Sequence, residues 1–144
     1  MSLKAENSFI NSIHRLLPHA VYHWKIADRY HNGVPDCYYE GSRGVLFIEY
    51  KHIDIFPSSL DLTRRDMLSP LQMDWLERAG KNGVPCAVIL GSEAHGLILY
   101  GREAWGTPVG REKWLAERLA KREIADWLTR KVSMCAITSV RLKS

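Results

Sequence analysis

Between Ala5 and Leu17 the apolar residues Phe9, Ile13, Leu16 and Leu17 fall at the spacing of one helical face, and Pro18 ends the run. A first helix is predicted there. The aromatic and β-branched stretch from Val21 to Ile26 reads as a strand, and the residues from His31 to Pro35 supply a turn. Asp36 to Glu40 and Val45 to Lys51 read as two further strands, joined across Gly41 to Gly44 as a hairpin. Residues 52–68 have no clean period, carry Pro57 and the pair Arg64 and Arg65, and are long for an internal connection, which marks them as functional or mobile. Ser69 and Pro70 open a second helix with Leu71, Trp75, Leu76 and Ala79 as its apolar stripe, and Gly80 and Gly83 end it. Val84 to Leu90 and Gly96 to Tyr100 are two more short strands. A long helix from about Arg111 to Arg130, with Leu115, Leu119, Ile124, Trp127 and Leu128 inward, closes the pattern. The order predicts an α/β fold in which helices flank a mixed central sheet.

Composition narrows this further. A chain of 144 residues fits one domain, and 46% hydrophobic with 25% charged residues excludes disordered and collagen-like classes. The net charge of +4 suits an acidic partner without demanding one. Cys37, Cys86 and Cys135 are scattered and form no C-x-x-C pair, so neither a disulfide framework nor a thiolate zinc site is expected, and a reducing cytoplasm is the expected compartment. His23, His31 and His52 have no zinc-like spacing with them. The apolar runs are far short of the ~20 residues a membrane helix needs, and the first residues lack the apolar stretch of a signal peptide. The tryptophans at 75, 105, 114 and 127 fall mostly on apolar helical faces and read as core.

Candidate chemistry sits at the end of the third strand. Glu49 and Lys51 are two apart, so both side chains leave one face with Cα atoms about 7 Å apart. A carboxylate and an ammonium ending a buried strand incur a desolvation cost unless they are paired or hold a ligand. Asp36, in the neighbouring strand of the hairpin, is placed to join them. Carboxylates that share a site repel unless a cation lies between them, and a hard ion such as Mg²⁺ binds through one or two carboxylates with oxygens from the main chain, water and phosphate. Asp36, Glu49 and the main-chain carbonyl of Tyr50 make such a set. Lys51 can orient or deprotonate a water and stabilise developing negative charge, which is what phosphodiester hydrolysis requires. Arg64, Arg65 and Lys25 are candidate DNA-phosphate contacts.

The residues Gly33, Val34, Pro35 and Asp36, twelve intervening positions, then Glu49, Tyr50 and Lys51 resemble the PD-(D/E)xK nuclease superfamily. The segments Leu68 to Leu76 and Gly83 to Val88 extend the likeness to the VRR-NUC branch, the virus-type replication-repair nucleases of phage and prophage, over about residues 5–100. The resemblance implies a restriction-endonuclease-like core in which Asp36 and Glu49 bind Mg²⁺ or Mn²⁺, Lys51 is catalytic and Gln72 lines the site. It also implies a further carboxylate from the first helix, for which Glu6, thirty residues before Asp36, is the matching position. The separation of 21 positions between Lys51 and Gln72 is longer than is usual in the branch, and residues 101–144 form a helical extension beyond the matched core.

The implied function is a metal-dependent endonuclease acting on branched or structured DNA, with four-way-junction resolution as one form. A DNA-binding module with a nuclease fold, and a sequence-specific restriction enzyme, are the alternatives. Resolution requires two related cuts and one small domain has one centre, so a symmetric homodimer is expected. Residues 52–68 and the region after Tyr100, with Trp105, Trp114 and Met134, are its expected contact surfaces.

Overall fold

The computed structural model describes residues 3–27, 32–64 and 66–133. Its centre is the strand β3 (Gly44–His52), whose apolar run Val45 to Ile48 is built from residues that fit a pleated, enclosed surface. A tight turn at Ser42 and Arg43 lets β2 (Cys37–Gly41) fold back on β3 with Gly41 opposite Gly44, which is the expected hairpin. β1 (Tyr22–Lys25) adds to β2 antiparallel, opposite Tyr38 at Trp24. On the other side β3 runs parallel to β5 (Cys86–Gly91), which is buried at all of its positions as befits a strand covered on both faces. β6 (His95–Tyr100) returns antiparallel to β5.

Helices lie on both faces. α1 (Leu3–His14) packs Phe9, Ile10 and Ile13 onto one face of the sheet, and ends three residues before the expected Leu17. α2 (Pro70–Lys81) covers the opposite face. Its start is over-determined: the Ser69 hydroxyl accepts from the Gln72 N–H, the Gln72 side chain accepts from the Ser69 N–H, and Pro70 occupies the first turn. Leu76 and Ala79 point inward, whereas Leu71, expected in the stripe, is 51% exposed. The Leu71 backbone serves instead as a docking point. Gly33, at φ +88°, lies so close to the Leu71 carbonyl that a Cβ there would sit 2.5 Å from the oxygen. Only glycine allows this approach, and it fastens the loop before Asp36 to the first turn of α2.

Two expectations about the second half need correction. Residues 52–68, read as functional or mobile for want of a period, are built into the fold, with His52 ending β3. Their short β4 (Ser59–Leu60) pairs with β7 (Val109–Gly110), and Phe56, Leu62, Met67 and Leu68 are buried in the α2-side core. Phe56 stacks on Trp114 at 4.9 Å, and Trp105 is 1% exposed. Trp105 and Trp114 therefore belong to the interior of one chain and are not themselves exposed for the expected dimer contact, and Met134 lies outside the described residues.

The long helix expected from Arg111 to Arg130 is broken. After the short α3 (Arg102–Gly106), α4 (Arg111–Glu117) stops at Arg118, which is extended at φ −63°, ψ 146°. β8 (Leu119–Ala120) then pairs with the β6 edge, Leu119 opposite Gly96, and α5 (Lys121–Val132) follows. Pairing with the open edge of the sheet outweighs the helix propensity of Leu and Ala. The break also rotates the register of α4, so that Trp114 is buried and Leu115 is 56% exposed. α5 packs beside α1, with Ile124, Leu128 and Val132 facing the sheet. The six-stranded sheet therefore has the order β1-β2-β3-β5-β6-β8, mixed in direction and flanked by helices as the element pattern suggests. No helix of the described residues is long and apolar enough to cross a membrane.

Candidate active site

Strand alternation divides β3 between two interiors. Leu46, Ile48 and Tyr50 point to the α1 and α5 face, while Phe47, Glu49 and Lys51 point to the α2 face. Glu49 is only 2% exposed. One of its oxygens, Oε2, accepts from the Gln72 amide at 2.8 Å and faces Lys51 Nζ at 3.4 Å. The other, Oε1, is buried without a hydrogen-bond partner. Gln72 reaches Glu49 because the capping pair with Ser69 fixes its side-chain oxygen, which turns its amide nitrogen toward β3. One residue thus caps a helix and holds a carboxylate.

Asp36 approaches from the start of β2. Its Oδ2 accepts from the Tyr50 N–H at 2.8 Å, and its own carbonyl accepts from Ile26 at 2.7 Å. The N–H groups of Phe47 and Ile53 bond toward the β5 side, so Tyr50, in the alternate phase, turns both N–H and carbonyl to the side where Asp36 lies. β2 begins with Cys37, opposite Ile48, and leaves that stretch of the β3 edge open. The Tyr50 phenol has no part in this cluster; it is enclosed on the opposite face, sharing a 2.7 Å hydrogen bond with Tyr39.

Glu6, on the α1 turn nearest the strand ends, interacts with both Asp36 and Lys51. Burial, with Asp36 adding to it, pushes the Glu6 carboxyl up to about 7. Burial also raises Asp36, against the opposing pull of the Tyr50 N–H and of Lys51 and Lys25. Glu49 is raised well above the ordinary carboxylate range, first by burial and then by Asp36. Three carboxylates share one end of the sheet with Lys51, which pairs with Glu49 at 3.4 Å and acts on Asp36 and Glu6 together with Lys25. Among the described residues no three His, Cys, Asp or Glu side chains converge closely enough to form a metal cage unaided.

The candidate DNA contacts are dispersed. Lys25 stands at the rim, donating to Asn7 at 2.5 Å and acting on Glu6 and Asp36. Asn7 carries no signal in the sequence pattern, since its partner is 18 residues away in another element. Arg64 is 70% exposed and faces Asp66 at 3.5 Å, outside the cluster, while Arg65 and His31 lie outside the described residues. His23 lies against His14 at 4.2 Å between ring centroids, and His52 faces Asp54 at 3.7 Å.

Element order, the mixed sheet and helices on both faces define a restriction-endonuclease-like α/β fold. Among solved structures it is shared by Hjc, a Holliday junction resolvase from the archaeal hyperthermophile Archaeoglobus fulgidus, with a TM-score of 0.56 and 16% identity over 86% of this chain and 99% of that one. No family model and no curated protein sequence matches the chain.

Proposed function

We propose that this protein is a metal-dependent endonuclease of the PD-(D/E)xK superfamily, in the manner of its VRR-NUC branch, and that it hydrolyses phosphodiester bonds in branched DNA, Holliday junctions foremost. The observation that carries the reading is Glu49 Oε1: a buried carboxylate oxygen without a hydrogen-bond partner, on a group whose other oxygen is held by Gln72 and Lys51. Leaving such an atom unsatisfied costs about 1–3 kcal/mol or more, which a stable fold tolerates where a ligand fills the position.

The donor set fits Mg²⁺ or Mn²⁺. Asp36, Glu49 and the Tyr50 carbonyl would hold the ion, and because no full cage of side chains exists among the described residues, water and phosphate oxygens would complete its coordination. Such an ion supplies an activated water and neutralises charge on the phosphate. The chain's own groups do the rest. Gln72 fixes the orientation of Glu49, so that Oε1 is the free oxygen. Lys51 Nζ stands 3.4 Å from Glu49 Oε2 and is placed to orient the attacking water and to stabilise the charge gathering on the phosphate. Glu6, with a carboxyl near 7, is suited to take up or release a proton at neutral pH. Lys25 at the rim faces an incoming phosphate.

A panel of duplex, flap, single-stranded and four-way-junction DNA, incubated with Mg²⁺, Mn²⁺ or chelator, tests the reading. The expected result is cleavage of branched substrates in either ion and none in chelator. Binding without cleavage in both ions would leave a DNA-binding module instead. Paired cuts require two centres, so light scattering should give twice the 16.5 kDa of one chain. A monomer that still makes paired cuts refutes the dimer.

A further inference from the structure

The sheet face that carries Glu49 and Lys51 continues sideways as a row of aromatic rings. Trp24 lies opposite Tyr38, and Tyr38 opposite Phe47, so alternation brings Tyr22, Trp24, Tyr38 and Phe47 to one face. Their rings meet edge-on or tilted: Tyr22 and Trp24 each stand 6.4 Å from Tyr38, Tyr38 is 5.2 Å from Phe47, and Phe47 is 5.0 Å from Trp75 of α2. In such contacts the edge of one ring meets one face of its neighbour and does not cover the other. α2 shields the row at Phe47 only; Tyr22 and Trp24 are 58% and 52% exposed. The row is also anchored at the catalytic cluster, since Phe47 is two residues from Glu49 on the same face, about 7 Å between Cα atoms, and Tyr38 is two from Asp36.

We propose that this row is a stacking platform for nucleobases left unpaired beside the cleaved phosphate, a role that rests on the nuclease reading and specifies its substrate. From Phe47 to Trp24 the row spans two strand spacings, ~10 Å, and leads directly away from the carboxylates. A cation borders it: the Arg78 guanidinium lies 5.4 Å over the Trp75 ring. Flat rings beside a cation match a single-stranded backbone with exposed bases, and they do not match a paired duplex, in which the base faces are already covered. Stacking also reads no sequence, because every base has a π-face. The substrate class is therefore DNA with unstacked bases at the cut, selected by structure and not by base identity.

Trp24→Ala, Trp24→Phe and Tyr22→Ala test this in the full chain, with chelator present so that binding is read without cleavage. Fluorescence anisotropy on DNA with a short single-stranded flap, against a fully paired duplex of equal length, gives the two affinities. The expected result is that Trp24→Ala weakens flap binding about tenfold, leaves duplex binding and the melting temperature unchanged, and is rescued by Trp24→Phe, with Tyr22→Ala losing less. A 2-aminopurine in the flap should be quenched by the wild type and not by Trp24→Ala. Wild-type affinities in Trp24→Ala overturn the platform, as does a fall in mass by light scattering, which would make the row a contact between two copies. A wild type that binds and cleaves no DNA overturns the nuclease reading itself, whereas one that cleaves normally while Trp24→Ala does too sinks only the platform.

Discussion

Two clusters of buried polar side chains flank β3, and they are satisfied in opposite ways. On the α1 and α5 face the phenols of Tyr39 and Tyr50 share a 2.7 Å hydrogen bond, and His14 Nε2 joins Tyr39 at 2.8 Å, so a polar chain runs through an apolar core with its members paired. On the α2 face, one residue along the same strand, Glu49 keeps an oxygen without a hydrogen bond and faces Asp36 and Glu6 across a shortage of positive charge. Closed networks stabilise; an open one marks a place where something else is expected to bind.

The sharpest way to break that comparison is to remove groups from each face and read stability and cleavage together. Asp36→Asn, Glu49→Gln and Lys51→Ala should each lower cleavage by on the order of 10³-fold or more while the protein remains folded. Tyr39→Phe should leave cleavage at the wild-type level and lower stability by about 1–3 kcal/mol, because Tyr50 and His14 lose their shared partner. In metal-free protein the signs diverge: Glu49→Gln replaces a carboxyl whose ionised form burial and Asp36 both disfavour, and should raise the melting temperature. Urea titrations with and without chelator decide it, and a Glu49→Gln protein that is less stable than wild type in chelator contradicts the open-site account.

The next effect is linkage to the ion. Mg²⁺ or Mn²⁺ at about a hundred times its Kd should stabilise the wild type by about 2.7 kcal/mol, visible as a rise in melting temperature. Asp36→Asn should abolish the rise and Tyr39→Phe should retain it in full. An ion-induced rise that persists in Asp36→Asn locates the ion elsewhere.

Much of this cluster was legible from period and motif. The two-residue alternation places Glu49 and Lys51 on one face, the hairpin signal brings Asp36 beside them, and the Ser69 and Pro70 start fixes where Gln72 falls in its helix. Gly33 belongs to the motif for a reason visible only in three dimensions, its contact with the Leu71 carbonyl. Illegible features depend on distant partners. Phe56 and Trp114 find each other across 58 positions, so residues 52–68 show no local period although Phe56, Leu62, Met67 and Leu68 among them are core. The break at Arg118 depends on a distant partner, since Leu119 and Ala120 pair with the β6 edge, although Glu123 accepts locally from the Ala120 N–H where α5 begins. The exposure of Trp24 is equally hidden, for the strand reads as apolar and nothing in it says that no helix among the described residues covers it.

Gln72 tests whether the two roles of one side chain are separable. Gln72→Glu keeps an oxygen that can accept from the Ser69 N–H, so the helix cap survives, but it replaces the amide donor with a second carboxylate facing Glu49. Cleavage should fall by about 10²-fold, a loss comparable to removing an outer partner of a metal ligand. Gln72→Ala should keep the Ser69 cap but lose the reciprocal bond from the Ser69 N–H, about 1 kcal/mol, and the orientation of Glu49. Equal cleavage by Gln72→Glu and wild type removes Gln72 from the machinery and leaves it a capping residue.

The smallest effect is the pH dependence of metal-free stability, to which the two clusters contribute on opposite sides through His14 and Glu6, both carried by α1. Burial, reinforced by His23 and Lys25, holds the His14 imidazole down to about 4 from its ordinary 6.5. The fold prefers the neutral ring, so this contribution is fully present above 6.5 and is lost as pH falls toward 4. Glu6 behaves in reverse: its carboxyl is raised from 4.5 to about 7, so its contribution is fully present below 4.5 and is lost as pH rises to 7. Urea titrations across pH 4 to 8 in chelator should give a shallow maximum between these two losses. His14→Gln should flatten the acid side alone, and Glu6→Gln the neutral side alone. Adding Mg²⁺ should lift the neutral side in wild type, because the ion requires deprotonated carboxylates and competes with the proton for them. If Glu6→Gln leaves the neutral slope unchanged, Glu6 does not share the field of Asp36, and the open face is a two-carboxylate site.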